Sequence, residues 1–584
     1  MSFARLSMLC AGLCLALLAA WAPSAGAQTA FVVRQHVNGS YSLYAIDLTT
    51  GDASIATSQL AFLPTPLVGH PVSARLRSDR PWSLDGPAPG IRLPLHGSLH
   101  RVTRAGVTAM LHLRTDGSAS LRASTAEVDG PGLLPGVGID TTGSRALLAT
   151  PVASGGDVLL LDLGTDAPAV NLTALLVPLD VAPDSLRVGA DGAWFVAEGA
   201  LYHVDLLSNT NAQPIALPLQ TGEVLLPELA VSGDGRGVAV VTELSANRRR
   251  LMVVDSAGAV SIISGNPGPL DTPGYDDPTG PLLVLSDDAL CVAWRRTQMD
   301  ARELFVQRLD QAPTPVQVTS DANFTDTIDN VGVLGFIADT LLVFSAGELP
   351  GLGDPLTSVG SADVFLMDTA TQDLTNLTGT SGQTLPPFLV AGELEIQAAT
   401  LSPDSSRLLL EVDPDGGDVA MLSVPLGGAQ SVSGLTGPLL ASPILLAAGE
   451  HVLLITEPEL PSGDPTQQLV LSPAGGAPMV LGSVPPGVTL DRMVASRDGT
   501  SAALVASAGP GLELLVRVAL PSGLLSLAWD QPFDVTSALG FSTDGQLLAG
   551  LGVAGGPYIF GAFPQAAAAQ KLAVPKGVGF ALTP

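Results

Sequence analysis

Seven histidines, three cysteines and a few aspartate-rich turns are the residues of this 584-residue chain that are best suited to chemistry. Their spacing excludes most of it. His36, His70, His96, His100, His112, His203 and His451 form no HExxH and no His/Cys pair at zinc spacing. His96 and His100 are four apart, but they lie in LPLHGSLH, where Gly and Pro argue against a helix that would bring them to one face. There is no Gly-x-Ser-x-Gly elbow for a hydrolase nucleophile and no phosphate-binding Gly-Lys-Ser/Thr loop. Cys291 sits at an apolar position of VLSDDALCVAW, the setting of a buried structural thiol rather than a reactive one. What remains is acidic. DPDGGD places Asp413, Asp415 and Asp418 within one turn, and Ca²⁺ takes six to eight oxygens from such a loop. The same residues also make a plain hairpin turn between RLLLEV and VAMLSV. The expectation is therefore no catalytic residue and no cofactor, with calcium at Asp413, Asp415 and Asp418 the one metal alternative.

The elements that would position these residues are legible from a recurring phrase. An apolar stretch, Asp-Gly or a near relative, and a second apolar stretch recur as VGADGAWFVAE from Val188, VSGDGRGVAVV from Val231, LSPDSSRLLLEV from Leu401, ASRDGTSAALVAS from Ala495 and FSTDGQLLAGLG from Phe541. Looser copies are IDTTGSRALLAT from Ile139 and VLSDDALCVAW from Val284. Asp-Gly between apolar runs is a strong hairpin signal, because a tight turn needs positive φ at its centre. A second hairpin follows most copies, as in LYHVDLLSNTNAQPIAL from Leu201, LMVVDSAGAVSII from Leu251 and DVFLMDTATQDLTNLT from Asp363. Two hairpins make four strands, one blade of a propeller, and the period of roughly 50 residues fits that unit. The 64 Gly and 47 Pro break any sustained helical pattern; QAAAAQKLA from Gln565 is the best short exception.

The pairing of DVFLMDTATQDLTNLTG with SPDSSRLLLEV resembles the TolB-like and WD-repeat-like β-propeller repeats of exported bacterial proteins. Those repeats carry a Ser-Pro-Asp-Gly turn, an aliphatic strand, a strand ending in an aliphatic residue and Asp, and then Leu-Thr. The resemblance covers most of the chain and is sharp in three or four units. It departs elsewhere: Pro403 is the one Pro at its turn position, and Leu or Val mostly replaces the aromatic after the turn. The resemblance implies an architecture and leaves the activity open.

The first 27 residues read as a secretory signal peptide. Arg5 is its basic end, Leu6 to Trp21 its apolar core, and Ala25-Gly26-Ala27 its small-residue cleavage site. Cys10 and Cys14 would leave with it, so Cys291 would remain without a disulfide partner. The mature chain is expected to be secreted or periplasmic, with no membrane insertion after cleavage. A net charge of −29 argues against nucleic acid and anionic membranes as partners. The basic cluster Arg248-Arg249-Arg250 reads as a solvated hairpin tip, and Arg295-Arg296 reads the same way.

About eleven blade-like units fit between Phe31 and Val574. Single propellers usually have four to eight blades. Two propellers in tandem, 28–330 and 331–584, are therefore expected, with one larger ring as the alternative. FVVRQ near Phe31 is expected to close a ring by pairing with GVGFAL near Gly577. The fold class is all-β, with four-stranded antiparallel blades. The function that fits is a non-catalytic scaffold binding a protein, peptide or glycan partner. The alternative is a propeller hydrolase, a lactonase or esterase using acidic residues and calcium.

Overall fold

A computed structural model describes strands from Thr29 to Leu582 and many of the turns between them, with a nearly continuous stretch from 132 to 263. Residues 1–28, 72–90, 264–282, 320–331, 348–361 and 378–394 are the longest stretches outside the described residues. The leader and the 330/331 division both fall there.

The protein is a β-propeller fold built of four-stranded antiparallel blades. Eight described sheets have four strands in simple sequence order, as in Arg187–Val188, Gly192–Ala197, Ala200–Asp205 and Gln213–Ile215. A five-stranded sheet and an eight-stranded sheet supply the remaining blades. Within the larger one, Ala53–Phe62 pairs with Gly97–Arg104 and so joins the first blade edge to edge with the second. The described sheets therefore amount to eleven blade units, in agreement with the spacing of the hairpins. Lettering strands A to D in sheet order, the A strands of successive blades neighbour one another, as Val224–Val231 neighbours Leu283–Leu285.

The first blade is shared between the chain ends. Gly579–Leu582 serves as its A strand and pairs antiparallel with Thr29–Gln35, Val33 opposite Gly579 and Ala30 opposite Leu582. This is the pairing expected between FVVRQ and GVGFAL. Gln570–Lys571, the end of the one helical candidate, forms a strand of the last blade.

The core lies between blades. One cluster joins Ala239, Leu251 and Val253 of one blade to Leu285, Val292 and Trp294 of the next. Another joins Leu147, Ala149 and Val158 to Val188, Phe195 and Val204. The sheets joined in this way are apolar on both faces, which is why Gly192–Ala197 is buried along its whole length rather than alternately. Cys291 is fully buried in such a cluster, and burial pushes its thiol up to about 11. Ellman's reagent is expected to leave Cys291 unmodified in the folded protein and to titrate it in guanidinium. Rapid labelling under native conditions would contradict its place in the core.

Two expectations change. The arginine clusters are not solvated tips. Arg249 and Arg250 lie on the strand Arg248–Asp255 and are buried, as is Arg295 on Cys291–Gln298. Long blades extend the strands past the point where charge alone suggests a turn. The irregular region after Leu60 also hides a strand. Val68–Pro71 runs parallel to Gly136–Ile139 and adds a fifth strand on the A side of its blade.

Candidate binding face

The repeated Asp-Gly phrase is the chain's strongest motif. Where it is described, it forms the A–B turn of its blade. In Ser232-Gly-Asp-Gly-Arg-Gly237, the Ser232 hydroxyl donates to Asp234 Oδ1 at 2.6 Å and accepts the Gly237 N–H at 2.9 Å. Asp234 Oδ1 accepts the Arg236 N–H at 2.8 Å. Ser286 and Asp288 repeat every one of these bonds around Cys291 and Leu290. In the looser copy Asp140 takes the place of the serine and accepts the Arg145 N–H, while Thr142 takes the place of the aspartate and accepts the Ser144 N–H. Any short oxygen acceptor satisfies these turn amides, so the aspartate is turn chemistry. Only one left-handed residue is needed, Gly143, Gly235 or Ala289, so the turn is wider than a two-residue hairpin.

The other motif positions are equally structural. In three blades the Asp that ends the C strand caps the following turn: Asp162 accepts from Gly164, Asp255 from Ala257 and Ala259, and Asp368 from Ala370. Hydrogen bonds from the Ser208 hydroxyl and the Leu207 N–H hold the Asp205 carboxyl below the usual range. The Thr of Leu-Thr reaches back to the C strand. Thr173 Oγ1 accepts the Val158 N–H and Thr319 Oγ1 accepts the Leu304 N–H.

Antiparallel order places A–B and C–D turns at one end of a blade and B–C and D–A connections at the other. At the first end successive turns are fused. Asp191 donates its N–H to the Asp234 carbonyl, and the Trp194 indole donates to the Gly235 carbonyl at 2.7 Å. Arg236 returns an ion pair to Asp191. A Cβ on Gly189 would lie 2.4 Å from the Gly235 nitrogen, so only glycine permits this approach. The A–B turns of that end are packed against one another, while its C–D turns, Leu207 among them, stand at the surface.

The opposite end is different. The D–A connection 172–186 crosses from one blade to the next and is held by its own backbone bonds: Leu172 and Leu179 donate to the carbonyls of Val158 and Gly156, and Ala182 to that of Val196. Asp180 and Glu198 clasp each other through Asp180 N–H to Glu198 Oε1 and Glu198 N–H to the Asp180 carbonyl. The next D–A connection, 216–223, is pinned by a buried charge pair. Glu223 accepts from the Gln220 N–H at 2.7 Å, from the Thr242 hydroxyl and from Arg250 Nε at 3.0 Å, while Arg250 Nη2 donates to the Pro218 carbonyl. Arg249 pairs with Glu243 beside it. These rigid connections hold Leu175, Val177 and Leu219 in water, Leu175 and Val177 at 80% and 77%. At the same end Val152, on the B–C connection of the blade before 172–186, and Val224, at the start of the next A strand, are also exposed. Leu217 and Ala182 pack on one core cluster and so tie the two connections together below that surface.

Nearer the A strands, the Arg187 guanidinium donates to the carbonyls of Asp184 and Leu186. Burial pushes it down to about 10, against the opposing effect of the Asp184 and Glu228 carboxylates. Glu228 projects from a bulge between Leu225 and Leu229, and its Oε2 is buried without a hydrogen-bond partner.

The residues singled out for chemistry do not gather here. Asp413 ends the strand Arg407–Asp413 opposite Glu395, and Asp415 and Asp418 lie outside the described residues. His100 and His112 are buried, His100 bonded to Ser98. His203 stacks on Trp194 at 4.1 Å, and burial lowers its pKa. Among the described residues no group of three or more His, Cys, Asp or Glu could hold a metal, and no helix is long and apolar enough to cross a membrane. The exposed aliphatic connections carried no sequence signal, since LLVPLD and LPLQTGEV read as ordinary loops.

No protein-family model matches the chain, and no curated protein matches it. Solved structures do. A eukaryotic initiation factor is similar at 11% identity and a TM-score of 0.37, over 76% of this chain and 98% of that one. An oligogalacturonate lyase in complex with manganese is similar at 12% identity and a TM-score of 0.26, over 80% and 96%. TolB from Acinetobacter baumannii is similar at 16% identity and a TM-score of 0.22, over 61% and 80%. The strand order, rather than these distant likenesses, carries the description of the fold.

Proposed function

We propose that this protein is an exported, non-catalytic β-propeller scaffold that binds a protein, peptide or glycan partner in the bacterial envelope or outside the cell. The observation that carries this reading is the set of exposed aliphatic side chains on the hydrogen-bonded connections 172–186 and 216–223. Water-exposed Leu and Val on ordered backbone are costly to a monomer and useful to an interface. The described aspartates of the recurring phrase, Asp234 and Asp288, are committed to turns, and the A–B turns at the opposite end of the blades pack on one another. Export rests on the leader read from residues 1–27, and scaffolds of this kind use repeat connections as their binding face.

The test is cross-linking mass spectrometry on the full mature chain incubated with an envelope extract, with a glycan array run in parallel. Cross-links or protection at the B–C and D–A connections support the reading. Absence of both partner and glycan, or hydrolysis of an ester or lactone panel that depends on added calcium, overturns it.

A further inference from the structure

We propose that the partner docked on the B–C and D–A end is a basic polypeptide segment carrying aliphatic side chains. The inference rests on the scaffold reading and narrows it to one surface and one chemistry. Two properties of the surface point there. The first is apolar: Val152, Leu175, Val177, Leu219 and Val224 stand exposed at this end of neighbouring blades. The second is charge. Asp180, Asp184 and Glu198 are exposed on the same connections. The arginines described beside these connections are already engaged: Arg249 pairs with Glu243, Arg250 with Glu223, and Arg187 donates to backbone carbonyls. The surplus is negative, and the net charge of −29 extends the same sign over the whole chain.

An anionic ligand is repelled by such a surface and draws little from five aliphatic side chains. A neutral saccharide leaves both the carboxylates and the exposed Leu and Val without complements. A segment of Leu or Val interleaved with Lys or Arg meets both, its apolar side chains covering the platform and its cations facing Asp180, Asp184 and Glu198. The connections are pre-ordered by their own hydrogen bonds, so binding there orders little of the scaffold itself.

Fluorescence anisotropy tests this on the full mature chain. The probes are a fluorescein-labelled peptide of alternating leucine and lysine pairs and its leucine–glutamate counterpart, each at low and high salt. The leucine–lysine peptide is expected to bind, to weaken with salt, and to outcompete the glutamate version. The double variant Leu175→Asp, Val177→Asp is expected to weaken it about tenfold or more. Asp180→Lys with Asp184→Lys should weaken it similarly and remove most of the salt dependence. Leu207→Asp with Leu290→Asp, on the opposite end of the blades, should leave it unchanged. Every altered side chain is exposed, and unchanged melting confirms that each variant folds. Equal binding by all variants, or by the glutamate peptide, overturns the proposal. A partner cross-linked to the A–B and C–D end, or a bound glycan, also overturns it while leaving the scaffold reading standing; the absence of any partner removes both.

Discussion

Replacing Glu223 with alanine is expected to destabilise the protein by about 3–5 kcal/mol, the usual consequence of leaving one member of a buried ion pair behind. The Glu223 side chain is 1% exposed and its partner Arg250 is 7% exposed. Alanine would strand that buried guanidinium, with only the Pro218 carbonyl left to it among the bonds described. It would also free the Gln220 N–H and the Thr242 hydroxyl. Chemical denaturation checks the magnitude. Glu223→Gln keeps oxygen for these donors and should cost less. The pair also sets a pH dependence. Burial raises the carboxyl's pKa, but hydrogen bonds from Gln220, Thr242 and Arg250, with the charge of Arg250, outweigh it and hold the group below its usual value. Its stabilisation is present above the unfolded pKa of about 4.3 and is lost as pH falls through the lower folded value. Glu223→Gln should flatten that part of the acid limb. An unchanged acid limb would mean that the pair contributes little. Because the pair pins 216–223, Glu223→Ala should also weaken any partner bound over Leu219 and Val224.

Ending the chain at Val578 is the second large perturbation. It removes Gly579–Leu582 and uncovers the edge of Thr29–Gln35. Phe31, Val32 and Val33 are now at most 1% exposed. Losing part of that burial should cost on the order of 3–5 kcal/mol, and the unpaired edge should promote association. Calorimetry and size-exclusion chromatography report both effects. Unchanged melting with a monomeric profile would show that the strand shared between the chain ends is dispensable.

Much of the fold was legible because the repeat writes it many times. Asp-Gly and its Thr and Asp relatives mark the A–B turns, and apolar runs on either side mark the strands. Even the pairing of the chain ends could be anticipated, since closing a ring of blades commonly joins the first and last strands. Less could be read where local composition misleads. Arg248-Arg249-Arg250 has the composition of a solvated tip, but Glu223 and Glu243 come from elsewhere in the blade to compensate it. Val68–Pro71 is too short and too rich in Gly and Pro to show a period, and its partner lies far along the chain.

The sequence by itself determined the unit: two hairpins, their turn residues, and strands apolar enough to be covered on both faces. Local hydrogen-bonding chemistry and β propensity act over a few residues, so they are written where they act. The tertiary structure alone decided how the turns and connections at each end of the blades are used. The A–B turns at one end pack on each other, with Asp191 on Asp234 and Trp194 on Gly235. The connections at the other end are braced from beneath by Glu223 and Arg250 and turn Leu175 and Val177 to water. That difference arises from contacts between blades tens of residues apart, which no single repeat contains.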